Sequence, residues 1–140
     1  MKKNYLTIIL LLLLFTSCRV NQKKYGEKVG RWVFKTTIDK DKDVHRGRYD
    51  QKGFQKGTWR YRLNGKIYKK EQFKNKVAYV TEYHKNGTIA TLGQTRLEIV
   101  GDGLHWYYFG SWFIYNTKGE LTDVKHYELG IEKHHTKVRP

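Results

Sequence analysis

The chain has 140 residues, with 28 Lys and Arg against 13 Asp and Glu and a formal charge of +15. Its one cysteine, Cys18, excludes an intramolecular disulfide and a thiol-rich metal site, and its length suits one domain with a modest core. So basic a balance favours acidic partners: anionic lipid headgroups, acidic polysaccharide, an acidic protein or nucleic acid.

In chain order, the first element is a secretory signal. Lys2 and Lys3 precede an uncharged run from Leu6 to Phe15, and small polar Thr16 and Ser17 follow before Cys18. A membrane-spanning helix needs roughly 20 apolar residues, and this run is about half that long. Residues 1–17 are therefore expected to be cleaved rather than kept as an anchor.

Phe15-Thr16-Ser17-Cys18 resembles the lipobox of bacterial lipoproteins. That resemblance implies acylation of Cys18 and a mature protein lipid-anchored in the cell envelope, on the periplasmic side of the outer membrane. A single acyl chain holds only marginally, at about 0.8 kcal/mol per buried CH₂, so the two or three chains of such an anchor are what makes it stable. Export counts against nucleic acid as the partner of the basic charge. Residues 18–29, polar and without periodicity, read as a tether between the lipid and a folded domain over 30–131, and residues 132–140 read as a basic tail.

From Gly30 onward the chain is rich in Trp, Tyr, Phe, Thr, Val and Ile and shows no stripe of helical period. An internal repeat stands out. Tyr61 to Ile67, Tyr83 to Ile89 and Tyr115 to Leu121 share a tyrosine, a glycine four residues later (Gly65, Gly87, Gly119) and an aliphatic residue two beyond. Asn64-Gly65 and Asn86-Gly87 suit a two-residue I′ hairpin turn, while Lys118-Gly119 suits a type I turn with a G1 bulge. Upstream, Gly30-Arg31-Trp32, Gly57-Thr58-Trp59 and Gly110-Ser111-Trp112 share a glycine-x-tryptophan start. Phe73, Thr95 and Tyr127, six residues after each aliphatic position, are expected on the same face as Ile67, Ile89 and Leu121. Alternation places Trp59, Tyr61 and Leu63 on one face and Thr58, Arg60 and Arg62 on the other.

These residues resemble the MORN-repeat variant of bacterial antitoxin-like proteins, over about residues 30 to 130. Residues 110–130 make the most complete copy, and Ala78-Tyr79-Val80 stands where another glycine-x-tryptophan would fall. The resemblance implies an all-β fold: an elongated, single, twisted antiparallel sheet built from consecutive hairpins, each covering its neighbour's aromatics. Arg96 to Phe109 is an insertion in that pattern, with a turn at Gly101-Asp102-Gly103.

The repeated tryptophans and tyrosines read as core, because fixed spacing is what stacking needs. Asp39, Asp41 and Asp43 open like a calcium loop, but Val44 and Asp50 stand where that loop needs glycine and glutamate. His126, His134 and His135 show no metal-site pattern, and no nucleophile-elbow, phosphate-loop, dinucleotide or zinc-protease motif is present. Glu98 and Asp102 are the one loose carboxylate pair. No catalytic residue, metal or cofactor is therefore expected. The function expected is that of a non-enzymatic, membrane-anchored scaffold that binds a protein, antitoxin- or immunity-like by resemblance. The alternative is a binder of acidic envelope glycan or anionic lipid headgroups through Arg60, Arg62, Lys66, Lys69 and Lys70.

Overall fold

The computed structural model describes residues 19–101 and 103–139; the segment expected to be a signal, residues 1–17, and Cys18 lie outside the described residues. The described chain is all β. Ten strands form one open antiparallel sheet in sequence order: β1 (Gln22–Lys24), β2 (Glu27–Ile38), β3 (Asp41–Tyr49), β4 (Gln55–Leu63), β5 (Lys66–Lys74), β6 (Val77–Tyr83), β7 (Ile89–Val100), β8 (Gly103–Tyr115), β9 (Leu121–Glu128) and β10 (Ile131–Lys137). At the usual strand spacing this array is about 45 Å across. Every substantial contact joins strands that are consecutive in the chain.

Both ends of the sheet extend past the limits expected of the repeat domain. The stretch expected as a tether supplies β1 and the start of β2, and Tyr25 and Gly26, both at positive φ, turn the chain between them. Ahead of β1, the Asn21 side chain acts as a substitute strand: its Oδ1 accepts the Val33 N–H at 2.7 Å and its Nδ2 donates to the Val33 carbonyl at 3.1 Å. The stretch expected as a basic tail forms most of β10. It is joined to β9 by His135–Asp123 at 2.7 Å and by Glu132, which accepts from Lys125 at 2.9 Å and Tyr127 at 3.1 Å. The polar composition of both segments suits exposed edge strands, which need no apolar face.

The glycine-x-tryptophan motif is a bulge. Gly57-Thr58-Trp59 together stand opposite Gly47, between the pairs Arg46↔Arg60 and Arg48↔Lys56. Gly110-Ser111-Trp112 stand in the same way opposite Gly93, between Leu92↔Phe113 and Gln94↔Phe109. Gly57 and Gly110 have positive φ, of 62° and 66°, which lets the extra residues fold into the strand, whereas Gly30, at 72°, pairs with β3 residue for residue. The indole then lies over the glycine of the preceding strand and donates its N–H to the next carbonyl: Trp59 to Arg48 at 3.1 Å and Trp112 to Gln94 at 3.2 Å. Trp32 makes the matching bond to Gln22 at 3.1 Å. At the third copy, Ala78 and Val80 are buried and β5 pairs with β6 without a bulge.

Cross-strand pairs share a face, so the register sorts the side chains. One face carries Trp32, Phe34, Tyr49, Trp59, Tyr61 and Phe73 in β2–β5, where edge-on and stacked rings replace a second layer. A smaller group of Tyr108, Trp112 and Tyr127 repeats the arrangement near the other end. The expected shared face of Ile67 with Phe73, Ile89 with Thr95 and Leu121 with Tyr127 does not hold. A one-residue register shift after each of these turns puts Phe73, Thr95 and Tyr127 on the aromatic face and the aliphatic residues on the other.

Asn64-Gly65 is the expected I′ turn, with φ of 50° and 82°. Asn86-Gly87 is not: only Gly87 has positive φ, and its N–H donates to the His84 carbonyl while the His84 N–H donates to Thr88. Residues 84–88 thus repeat the type I turn with a G1 bulge that residues 116–120 form. The reason lies in the side chain, since Asn86 accepts the Thr88 N–H and donates to the Thr117 carbonyl of the adjoining turn. The β5–β6 turn places Asn75 and Lys76 at φ 51° and 62° with no glycine at all. A lysine in the left-handed region costs about 1–2 kcal/mol. Lys76→Gly is accordingly expected to raise stability by about 1 kcal/mol, read as an upward shift of the urea midpoint; an unchanged midpoint would mean the lysine bears no such strain.

Candidate anion-binding face

The second face of β2–β5 is basic. Val33, Arg46, Arg60 and Lys70 run as one cross-strand row and Arg31, Arg48 and Lys56 as another. The strand carboxylates of β3 and β5, Asp41, Asp43 and Glu71, pair with residues of the aromatic face instead. Asp43 accepts from His45 and Tyr68 there, and Glu71 accepts from Lys69 and from the Tyr61 hydroxyl. Among the described residues no carboxylate pairs with Arg46, Arg48 or Arg60.

Alternation explains the sorting. Arg46-Gly47-Arg48 and Arg60-Tyr61-Arg62 each send their basic side chains to one side, and the three-residue bulge keeps that parity through β4. Like charges directly opposed on a sheet face are unfavourable, by about 1 kcal/mol at 4 Å in water. Arg60 meets that repulsion from both neighbours, Arg46 and Lys70.

The arginines border a shallow groove of about 400 Å³, lined by Arg31, Arg46, Arg48 and Arg60, with Gly47 and Thr58 between them. Its floor is the backbone at Gly47, whose Cα–H side is covered by Trp59 on the aromatic face. Val20 also lines it. Cys18 precedes Val20 by two residues in the sequence.

No protein-family model matches this chain, and no curated protein or solved structure matches it either. The reading of the face therefore stands on its own geometry.

Of the basic residues expected from sequence, Arg60, Arg62 and Lys70 share the basic face. Lys66 sits at the hairpin end, paired with Leu63. Lys69 is on the aromatic face, its ammonium 4.2 Å from the centre of the Tyr61 ring and 3.2 Å from Glu71. The register shift beside Tyr61 is what separates Lys69 from the expected set. Arg31, Arg46, Arg48 and Lys56 were not singled out, although Arg46-x-Arg48 in a strand is a visible signal for one basic face.

The other candidate chemistry is dispersed. Glu98 pairs with His105 on the outer part of β7–β8, and Asp102 lies outside the described residues. His134 pairs with His126 while His135 turns to Asp123. No group of three metal-ligating side chains comes together among the described residues.

Proposed function

We propose that this chain is a non-catalytic binding protein of the bacterial envelope, lipid-anchored through Cys18, whose MORN-like sheet lays its arginine face on anionic lipid headgroups. The observation that carries this reading is the pair of like-charge rows on β2–β5. Mutual repulsion costs stability and gives the fold nothing in return, whereas guanidinium groups grip phosphate oxygens in pairs. The position of Val20 in the groove supports a membrane as the source of those phosphates, because an acyl anchor two residues away would hold headgroups beside the arginines.

The test uses Cys18→Ala protein, which removes the acyl anchor, and vesicles of anionic or neutral phospholipid. Binding should require the anionic lipid and weaken with salt. Each basic residue near such a surface is worth about 1 kcal/mol, so Arg46→Gln with Arg60→Gln should weaken binding about thirtyfold. Equal binding to neutral vesicles would refute the reading, and binding to acidic polysaccharide but not to vesicles would transfer the face to an envelope glycan.

A protein partner is the second reading. It is favoured by the exposed apolar tip of the β7–β8 arm, where Ile99, Val100 and Leu104 are 67 %, 49 % and 54 % accessible. Recovery of one stoichiometric membrane protein that Ile99→Ser releases would establish it. A toxin as that partner rests on the MORN-variant resemblance alone.

A further inference from the structure

Trp106 behaves unlike the other three tryptophans. Trp32, Trp59 and Trp112 are 9 % accessible or less, and Trp106 is 40 % accessible. It stands on the inserted β7–β8 arm with its ring edge-on to Phe73, 5.4 Å between centres, and this contact covers only part of it. Fixed-spacing stacking accounts for the other three indoles and not for this one.

Beside Trp106 is a cavity of about 270 Å³. Trp106, Phe73, Leu97 and Phe54 form its apolar part, and Lys74 and Lys76 are among its polar lining. Three separate elements fix its walls. The β3–β4 loop is held by Asp50, whose Oδ1 accepts the N–H groups of Lys52 at 2.8 Å and Phe54 at 2.9 Å. The β5–β6 turn is locked at left-handed Asn75 and Lys76, and the Leu97 N–H donates to the Lys76 carbonyl at 2.8 Å, tying the arm to that turn. The site is therefore built in advance of any ligand, which reduces the ordering cost of binding.

We infer that this cavity binds one acidic sugar ring, a hexuronate unit of a polysaccharide. The C–H face of a pyranose would lie on the Trp106 indole. The ring hydroxyls would meet the amides of Gln55 and Asn75, and the carboxylate would meet Lys76 on the β5–β6 turn. Asp50, the one acid of the lining, already engages one oxygen with two loop N–H groups, which leaves Lys76 to meet an anion. The volume is below the roughly 300–1,000 Å³ of sites for larger organic ligands, which suits a single ring. Fully apolar or aromatic ligands would leave the amides and ammonium groups around the cavity without partners. The cavity floor lies on the aromatic face, so this site goes beyond the arginine groove and does not depend on it.

The full chain in detergent can be titrated with galacturonic acid and with galactose, following tryptophan fluorescence. Galacturonate should perturb the emission, since Trp106 is the one open indole, and should bind about tenfold more tightly than galactose. Trp106→Ala should abolish the response to both sugars, and Trp106→Tyr should keep most of the binding, read by calorimetry, because a stacking surface remains. Lys76→Gln should narrow the preference for the acid while leaving galactose binding in place. Arg46→Gln with Arg60→Gln should leave every titration unchanged, which separates this site from the headgroup face. Near-ultraviolet circular dichroism checks that each variant is folded. The assignment fails if neither sugar binds at millimolar concentration, if folded Trp106→Ala binds as before, or if benzoate binds as well as galacturonate.

Discussion

Gly47→Ala is expected to destabilise the protein by about 3 kcal/mol or more, as much as removing a buried aromatic side chain. A Cβ at position 47 would lie 2.0 Å from Cδ2 and 2.1 Å from Cε2 of Trp59, well inside any real contact. The ring has nowhere to retreat. It is 1 % accessible, it meets Tyr49, Phe34 and Phe73, and its N–H is bonded to the Arg48 carbonyl. Gly93→Ala should act alike, since its Cβ would lie 2.1 Å from Trp112. Gly30→Ala meets no atom within 4 Å and should cost only the backbone strain of a positive φ, about 1–2 kcal/mol. Urea unfolding measures all three. If Trp59→Ala in the Gly47→Ala background costs as much as it does alone, the two residues are not the coupled unit described here.

Alkaline pH is expected to unfold this protein through its tyrosines. Tyr61 is buried, and burial raises its hydroxyl pKa far above the ordinary 10.0, helped by its hydrogen bond to the Glu71 carboxylate and that group's negative charge. Burial raises Tyr49, Tyr68 and Tyr127 in the same direction. A phenol that holds its proton more tightly when folded contributes stability that is complete below the unfolded pKa and is lost as pH rises beyond it. Stability should thus be insensitive to these groups below about pH 9 and fall above pH 10, by up to about 1.4 kcal/mol per pH unit from Tyr61 alone. Tyr61→Phe should lower the neutral-pH stability, by about 1 kcal/mol for the lost hydrogen bond, and make the alkaline slope shallower. Urea titrations at pH 8, 10 and 11 compare the two proteins. An unchanged slope in the variant would remove Tyr61 from the account.

The repeats were legible because Trp32, Trp59 and Trp112 each follow glycine by the same step, and the MORN-variant resemblance carried by this periodicity implies stacked hairpins. What the tryptophans sit on was not legible. Gly47 and Gly93 occupy the preceding strand, one separated from its tryptophan by a short loop and the other by the long β7–β8 arm, so no common spacing reveals them. Glycine inside a strand, flanked by Arg46 and Arg48 or by Leu92 and Gln94, was the available clue. Simple alternation placed Arg60 and Arg62 correctly and failed for Phe73, Thr95 and Tyr127 against Ile67, Ile89 and Leu121, because a bulge changes parity without leaving a mark in composition. The edge strands escaped notice for a related reason. β1 and β10 bury almost nothing, so their residues carry no apolar pattern, and their pairing comes from backbone bonds and from side chains such as Asn21 and Glu132.

Because the strands lie side by side in chain order, the two ends of the described chain leave the sheet at opposite edges. A pull between an N-terminal anchor and a load at the C-terminus would fall on the outermost strand pair first. It would open that pair one hydrogen bond at a time instead of shearing a whole ladder at once. Under tension the protein should therefore lengthen hairpin by hairpin at low force and rewind in the same steps when released, which makes it an extensible link rather than a rigid post.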